Sequence, residues 1–78
     1  MAKKSNNNNA VLDEQIRKRL VEAIEASHMK QKDLADKVFV SQSTISDYKN
    51  KGKLPSLSTF ARLCQVLDED ANDILGLK

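Results

Sequence analysis

Short side chains that can both donate and accept hydrogen bonds are concentrated on one face of a predicted helix at residues 42–50. Serine and asparagine are mediocre helix formers, and an ordinary surface helix carries more Glu, Lys and Arg. This composition therefore lowers helix stability, which favours a functional reason for it. Side chains of this size can reach the base edges in the major groove of DNA. The residues of this candidate face are Gln42, Ser43, Ser46, Asp47 and Asn50.

The same helix has a predicted inward side and a defined start. Ile45 and Tyr48 lie three residues apart and should face the interior, and Ser41 supplies an N-cap hydroxyl. A preceding helix at 31–38 carries one apolar stripe at helical spacing. Residues 31–50 thus predict two short helices joined by a tight turn. The stripe of the first of them consists of Leu34, Ala35 and Val38.

Three further helices are predicted around this pair. One runs from about residue 11 to 26, a fourth covers about 57–67 after a Ser56 cap, and a short last helix follows an Asp70 cap. The sequence therefore predicts an all-α, compact five-helix bundle. The expected stripe of the first helix is Leu12, Ile16, Leu20 and Ile24. That of the fourth is Leu57, Phe60, Ala61, Cys64 and Leu67.

Residues 1–10 form a low-complexity segment with four consecutive asparagines. Such composition predicts a disordered N-terminal arm, followed by a domain over 11–78. A basic arm that wraps DNA is the functional alternative, because Lys3 and Lys4 lie there without an acidic residue.

Composition limits the classes of protein that this chain can represent. Seventy-eight residues make one domain, and the net charge of +2 is too small to argue for nucleic acid by itself. The distribution of charge along the chain is more informative, because residues 41–56 are basic and residues 57–78 are acidic. A single cysteine fits a reducing cytosol, and neither a membrane-spanning run nor a signal peptide is recognised. We expect a cytoplasmic protein.

Catalytic and metal chemistry find no support in the sequence. His28 is the only histidine, and no Cys/His cluster has ligand spacing. Cys64 falls on an inner stripe, which favours an inert thiol. No glycine-rich phosphate loop is recognised. We expect no enzyme activity, cofactor, metal or small-molecule ligand.

The stretch from Arg19 to Leu75 resembles the phage-repressor and Cro-like (XRE-type) helix-turn-helix family. The resemblance lies in the order and spacing of several short motifs. It implies a domain that places its third helix in the major groove of double-stranded DNA, usually as a homodimer on a palindromic operator. The motifs are Gln31, Leu34-Ala35, Val40-Ser41-Gln42-Ser43-Thr44-Ile45-Ser46, Lys53-Leu54-Pro55-Ser56-Leu57 and Ile74-Leu75.

The resemblance also implies contacts with DNA for particular residues. Gln42 would read adenine through its amide, and Ser43 would reach the next base. Gln31 would donate to a phosphate and brace Gln42. The remaining base contacts implied are Ser46 and Asp47, and the remaining phosphate contacts are Asn50, Lys51 and Lys53. Asp47 stands where Arg or Gln is commoner, so its carboxylate either accepts from cytosine N4 or is only a solvated charge that caps the helix.

Departures from the family pattern lead to further expectations. Phe39 stands where many members have glycine, which suggests a different turn and a partly buried ring. Lys30 is a poor N-cap for the second helix. Ile24 and Lys49 replace an ion pair that members often keep, so we expect Ile24 to pack on the Lys49 stem and the ammonium to be free for phosphate. Gly52 is displaced by one position, so Asn50 or Lys51 would end the third helix.

Three binding roles remain open at this point. The favoured one is a transcriptional regulator, most simply a repressor, that acts as a homodimer. The second is an antitoxin or restriction-controller regulator that also binds a partner protein, and the third is a protein-interaction bundle without DNA contact. By resemblance the self-contact surface would be residues 66–78, with Val66, Leu75 and Leu77, and dimers would be weak in free solution.

Overall fold

A computed structural model describes residues 6–77 of the chain, and this range consists of α-helices joined by short connections. The expected all-α fold with five helices is confirmed, and the predicted bounds of the second, third and fourth helices agree with the structure. The helices are α1 (Asn6–Ala26), α2 (Gln31–Val38), α3 (Gln42–Asn50), α4 (Leu57–Leu67) and α5 (Ala71–Leu75).

The start of α1 differs from the expectation. The helix begins at Asn6 rather than near residue 11, so residues 6–10 of the expected disordered arm have helical backbone. Extending an existing helix adds one hydrogen bond for each residue fixed, which makes propagation much easier than nucleation. The remainder of the arm lies outside the described residues, and its contact with DNA stays a prediction.

Side-chain caps define the starts of three helices, as predicted. The Ser41 side chain accepts a hydrogen bond from the Thr44 backbone N–H, and Ser56 does the same for Thr59. Asp70 accepts from the Asn72 N–H. Each cap satisfies a backbone donor that the helix leaves unpaired. Lys30 makes no side-chain cap for α2, so the start of this helix lacks the hydrogen bond that the other three have.

The core forms where α3 and α4 meet the apolar stripe of α2, and α1 packs against α3 and α5. Leu34 and Val38 are fully buried, and Ile45 and Tyr48 face this interior as predicted. Burial of each large apolar side chain contributes roughly 1.5–3 kcal/mol. None of the helices within residues 6–77 is long and apolar enough to span a bilayer.

Two predicted stripes are wrong at their ends. Leu12 is 46% exposed and Leu57 is 88% exposed. Residues four apart rotate by about 40° per step around a helix, so Leu12 has turned away from the face that buries Ile24. Leu57 lies in the first turn of α4, ahead of the core. Ala61 is also exposed, and Leu63 is buried in its place.

A long-range hydrogen bond joins the two ends of the domain. The Arg19 Nε–H of α1 donates to the Ile74 carbonyl oxygen over 2.7 Å. Gly76 follows α5 with a φ of +75°, and a Cβ there would lie 2.6 Å from Arg19 Nη2. The arginine therefore packs against a backbone position where a side chain would displace it, and this packing fixes α5 on α1.

Candidate nucleic-acid interface

The polar face of α3 points outward, and its apolar face points into the core. Gln42 and Ser43 are exposed, and Ser46 and Asp47 are half-buried. On the other side Ile45 has no exposed surface. The short hydrogen-bonding side chains that were predicted to reach base edges therefore lie on the solvent-facing side of α3.

The start of α3 is organised by a cluster of hydroxyl groups. Ser41 Oγ accepts the Thr44 backbone N–H over 3.1 Å and shares a hydrogen bond with Thr44 Oγ1 over 2.8 Å. It shares another with Ser43 Oγ over 3.1 Å. The Ser43 hydroxyl is therefore held toward the helix start.

Gln31 connects the start of α2 to the start of α3. Its side-chain Nε2 donates to the Gln42 backbone carbonyl oxygen over 3.2 Å. The bond uses the backbone of Gln42 and leaves the side-chain amide of Gln42 without a hydrogen-bond partner among the described residues. That free amide can offer a donor and an acceptor together, the pattern that matches adenine N7 and N6.

Further candidate residues form a hydrogen bond and an ion pair along α3, each between residues one helical turn apart. Asn50 Nδ2 donates to Ser46 Oγ over 3.2 Å. Lys51 Nζ lies 3.8 Å from Asp47 Oδ1, with the lysine side chain largely exposed. Exposed pairs of this kind are weak, so both can exchange for contacts with DNA. Each of these predicted base contacts is thus coupled to a predicted phosphate contact.

The turn between α2 and α3 corrects the expectation for Phe39. Its backbone is left-handed, with φ 62° and ψ 42°, so the turn has the conformation that glycine normally provides. The backbone N–H groups of Phe39 and Val40 both donate to the Ala35 carbonyl oxygen, and these bonds stabilise the turn. The ring is 77% exposed instead of partly buried, and the Arg62 guanidinium lies 5.2 Å from its centroid.

The end of α3 agrees with the expectation drawn from Gly52. The helix ends at Asn50, Lys51 caps it with a φ of −116°, and Gly52 follows with a φ of +69°. Lys51 and Lys53 are exposed, whereas Lys49 is half-buried. Lys49 lines a pocket of about 260 Å³ together with Ile24 and Ile45. Ile24 and Lys49 thus lie on the same open space, and packing of Ile24 on the Lys49 stem stays a prediction.

A helix-turn-helix family model matches residues 20–74, which is most of the chain. The chain belongs to this helix-turn-helix family. The match supports the XRE-type relationship expected from the sequence, and the protein is a double-stranded-DNA-binding transcription regulator of that type. No curated protein and no solved structure shows significant similarity to the chain.

Burial raises the pKa values of a tyrosine and a cysteine in this helix-turn-helix domain. Burial raises the pKa of the Tyr48 hydroxyl on the inner face of α3. Burial also raises the pKa of the Cys64 thiol, with smaller contributions from the negative charges of Glu69 and Asp70. A raised pKa keeps the thiol protonated and unreactive. No group of His, Cys, Asp and Glu side chains that could hold a metal ion is found within residues 6–77.

The helix-turn-helix geometry brings the predicted site residues together in two places. Gln31 meets Gln42 at the start of α3, with Ser43 beside them. Ser46, Asp47, Asn50 and Lys51 are paired along the second half of the helix, and Lys53 follows in the connector. Arg17 of α1 also lies against this connector, a contact that no local pattern in the sequence predicts.

Proposed function

We propose that the protein is a repressor that binds a palindromic operator as a homodimer, with α3 of each copy in the major groove. The observation that carries this proposal is the exposed Gln42 amide. It has no hydrogen-bond partner among the described residues, while Gln31 holds the backbone beneath it. A domain that occupies a promoter in this way blocks access to the DNA without needing another contact.

Within this proposal the exposed face of α3 divides into base and phosphate contacts. Gln42 reads adenine, and Ser43, Ser46 and Asp47 read neighbouring positions. Gln31 donates to a phosphate at the start of α2, while Asn50 holds one beyond the end of α3. Lys49, Lys51 and Lys53 add charge along the backbone.

The self-contact surface is the apolar region around Leu75 and Leu57. Leu75 lines a pocket of about 170 Å³ with Leu54 and Leu57, between the connector, α1 and α5. Leu57 protrudes beside this pocket, and Leu77 is also largely exposed. A two-fold interface needs one surface that carries both a protrusion and a complementary hollow. These residues provide both on a small area, which fits a dimer that forms fully only on DNA.

Selection of binding sites from random duplexes tests this function. We expect a palindromic product whose half-sites lie about one helical turn, ~34 Å, apart. The variant Gln42→Ala should lose preference at one position in each half-site, and Gln65→Ala on the exposed side of α4 is the matched control. Recovery of no preferred sequence, together with no retardation of duplex DNA at low salt, would refute the proposal.

A further inference from the structure

A groove of about 390 Å³ lies between α1 and the C-terminal end of α3, and we call it the α1–α3 groove. Its walls carry the cationic side chains of Arg17 and Lys18 from α1 and Lys49 from α3, beside the Asn50 amide. The carboxylates of Glu14 and Glu22 also line it. The groove therefore continues the proposed phosphate-binding end of α3 onto a part of α1 for which the sequence predicts no contact with DNA.

Arg17 is held in this groove by the connector that follows α3. A Cβ at Gly52 would lie 3.1 Å from Arg17 Nε and 3.3 Å from its Cδ, so the arginine passes directly over bare backbone. The Gly52 φ of +69° also disfavours any other residue there. Arg17 is half-buried, and its side chain packs on this connector in the absence of a ligand.

The charges around Arg17 leave its guanidinium available. Asp13 and Glu14 lie four and three residues before Arg17, and Glu14 and Glu22 each lie four residues from Lys18, so carboxylates adjoin both cations on the surface of α1. Arg17 forms no ion pair with any of the described side chains. A half-buried guanidinium without a carboxylate partner, next to Asn50, suits a phosphodiester group, which it can bind through two parallel N–H donors.

We infer that Arg17 binds a phosphate of the DNA backbone next to the one assigned to Asn50. This inference rests on the proposed function and extends it, because it adds α1 to the helices that contact DNA. Because Arg17 already packs on Gly52, binding costs it less side-chain freedom than a fully exposed arginine would lose. The contact is independent of base sequence and sets the position of α3 in the groove.

Two charge-matched variants test the inference. Arg17→Gln and Arg62→Gln each remove one guanidinium, and Arg62 is already stacked on Phe39, away from the α1–α3 groove. The binding constant for the selected duplex and for a random duplex is measured against salt concentration. Arg17→Gln should flatten the slope of log K against log salt by about 0.9. If the variant and the parent bind equally at 1 M salt, the variant then binds about eightfold more weakly than the parent at 0.1 M. Arg62→Gln should leave the slope unchanged.

Further variants distinguish a phosphate contact at Arg17 from a general effect of net charge. Arg17→Lys keeps the charge and should restore the slope, and thermal unfolding verifies that all variants are folded. Equal flattening by Arg17→Gln and Arg62→Gln would show a net-charge effect and overturn the inference. An unchanged slope in Arg17→Gln would also overturn it while leaving the proposed function intact. If the parent protein retards no duplex at low salt, both the inference about Arg17 and the proposed function are wrong.

Discussion

The Gln31 side-chain amide donates to the Gln42 backbone carbonyl oxygen over 3.2 Å. This bond ties the start of α2 to the first residue of the proposed recognition helix. Removal of the amide should let the start of α3 move relative to the base edges. The two glutamines therefore have different expected effects on binding.

Gln31→Ala should weaken binding to all duplexes, because it removes a positioning bond and a proposed phosphate donor. Gln42→Ala should instead cost on the order of 1–3 kcal/mol at one base position only. Binding titrations with single-base operator variants measure both, with Gln65→Ala as the control. Identical position dependence in the two variants would contradict the separate roles.

Asp47→Asn should raise affinity for all DNA sequences. The change removes a carboxylate that phosphates repel and releases Lys51 from its exposed ion pair. The free energy of unfolding should change little, because such pairs contribute about 0.2–1 kcal/mol. Binding to random duplex measures the effect, with Glu69→Gln between α4 and α5 as the charge-matched control. If base preference is unchanged at every operator position, Asp47 does not read a base.

Leu57→Asp should abolish cooperative binding to a two-half-site operator and leave binding to one half-site intact. The side chain is 88% exposed, so the monomer should lose at most about 0.5 kcal/mol of stability. Gel retardation of one-site and two-site duplexes separates the two effects. Ser58→Asp adds the same charge one residue away, at a position that does not line the apolar pocket. Unchanged cooperativity in Leu57→Asp would place the self-contact elsewhere.

Phe39→Gly should stabilise the domain by about 0.5 kcal/mol. A left-handed backbone costs a non-glycine residue roughly 1–2 kcal/mol, whereas an exposed cation–π contact such as that with Arg62 contributes about 0.5–1 kcal/mol. Urea unfolding of Phe39→Gly and Arg62→Gln separates the two contributions. A Phe39→Gly variant less stable than Arg62→Gln would show that the ring contributes more than its contact with Arg62.

Stability should fall as the pH rises through the alkaline range. Burial raises the pKa of Cys64 above its ordinary value of 9.0 and that of Tyr48 above 10.0. A raised pKa in the folded state stabilises it fully below the unfolded pKa, and this stabilisation is lost as the pH passes the folded pKa. Each group contributes a slope of at most about 1.4 kcal/mol per pH unit. Urea unfolding of Cys64→Ala should show a shallower fall just above pH 9, and an equal fall would contradict the assignment to the thiol.

The positions of the helices and the inward face of α3 could be predicted from the amino-acid sequence alone. Ser41, Ser56 and Asp70 are local signals, because a cap bonds to a backbone group two or three residues away. Ile45 and Tyr48 follow from helical periodicity within one short segment. Such features depend on neighbours in sequence, and they hold in the structure.

Which exposed groups become neighbours depends on the packing of the helices. Leu57 fits the stripe of α4 by spacing, yet it is 88% exposed, whereas Thr59 in the same first turn is buried. Phe39 keeps a left-handed turn because the bonds to Ala35 and the packing of α2 on α3 outweigh its conformational cost. Arg17 meets Gly52 from a position 35 residues away in sequence. Periodicity within one helix does not encode such contacts, because they arise only when distant segments come together in the folded chain.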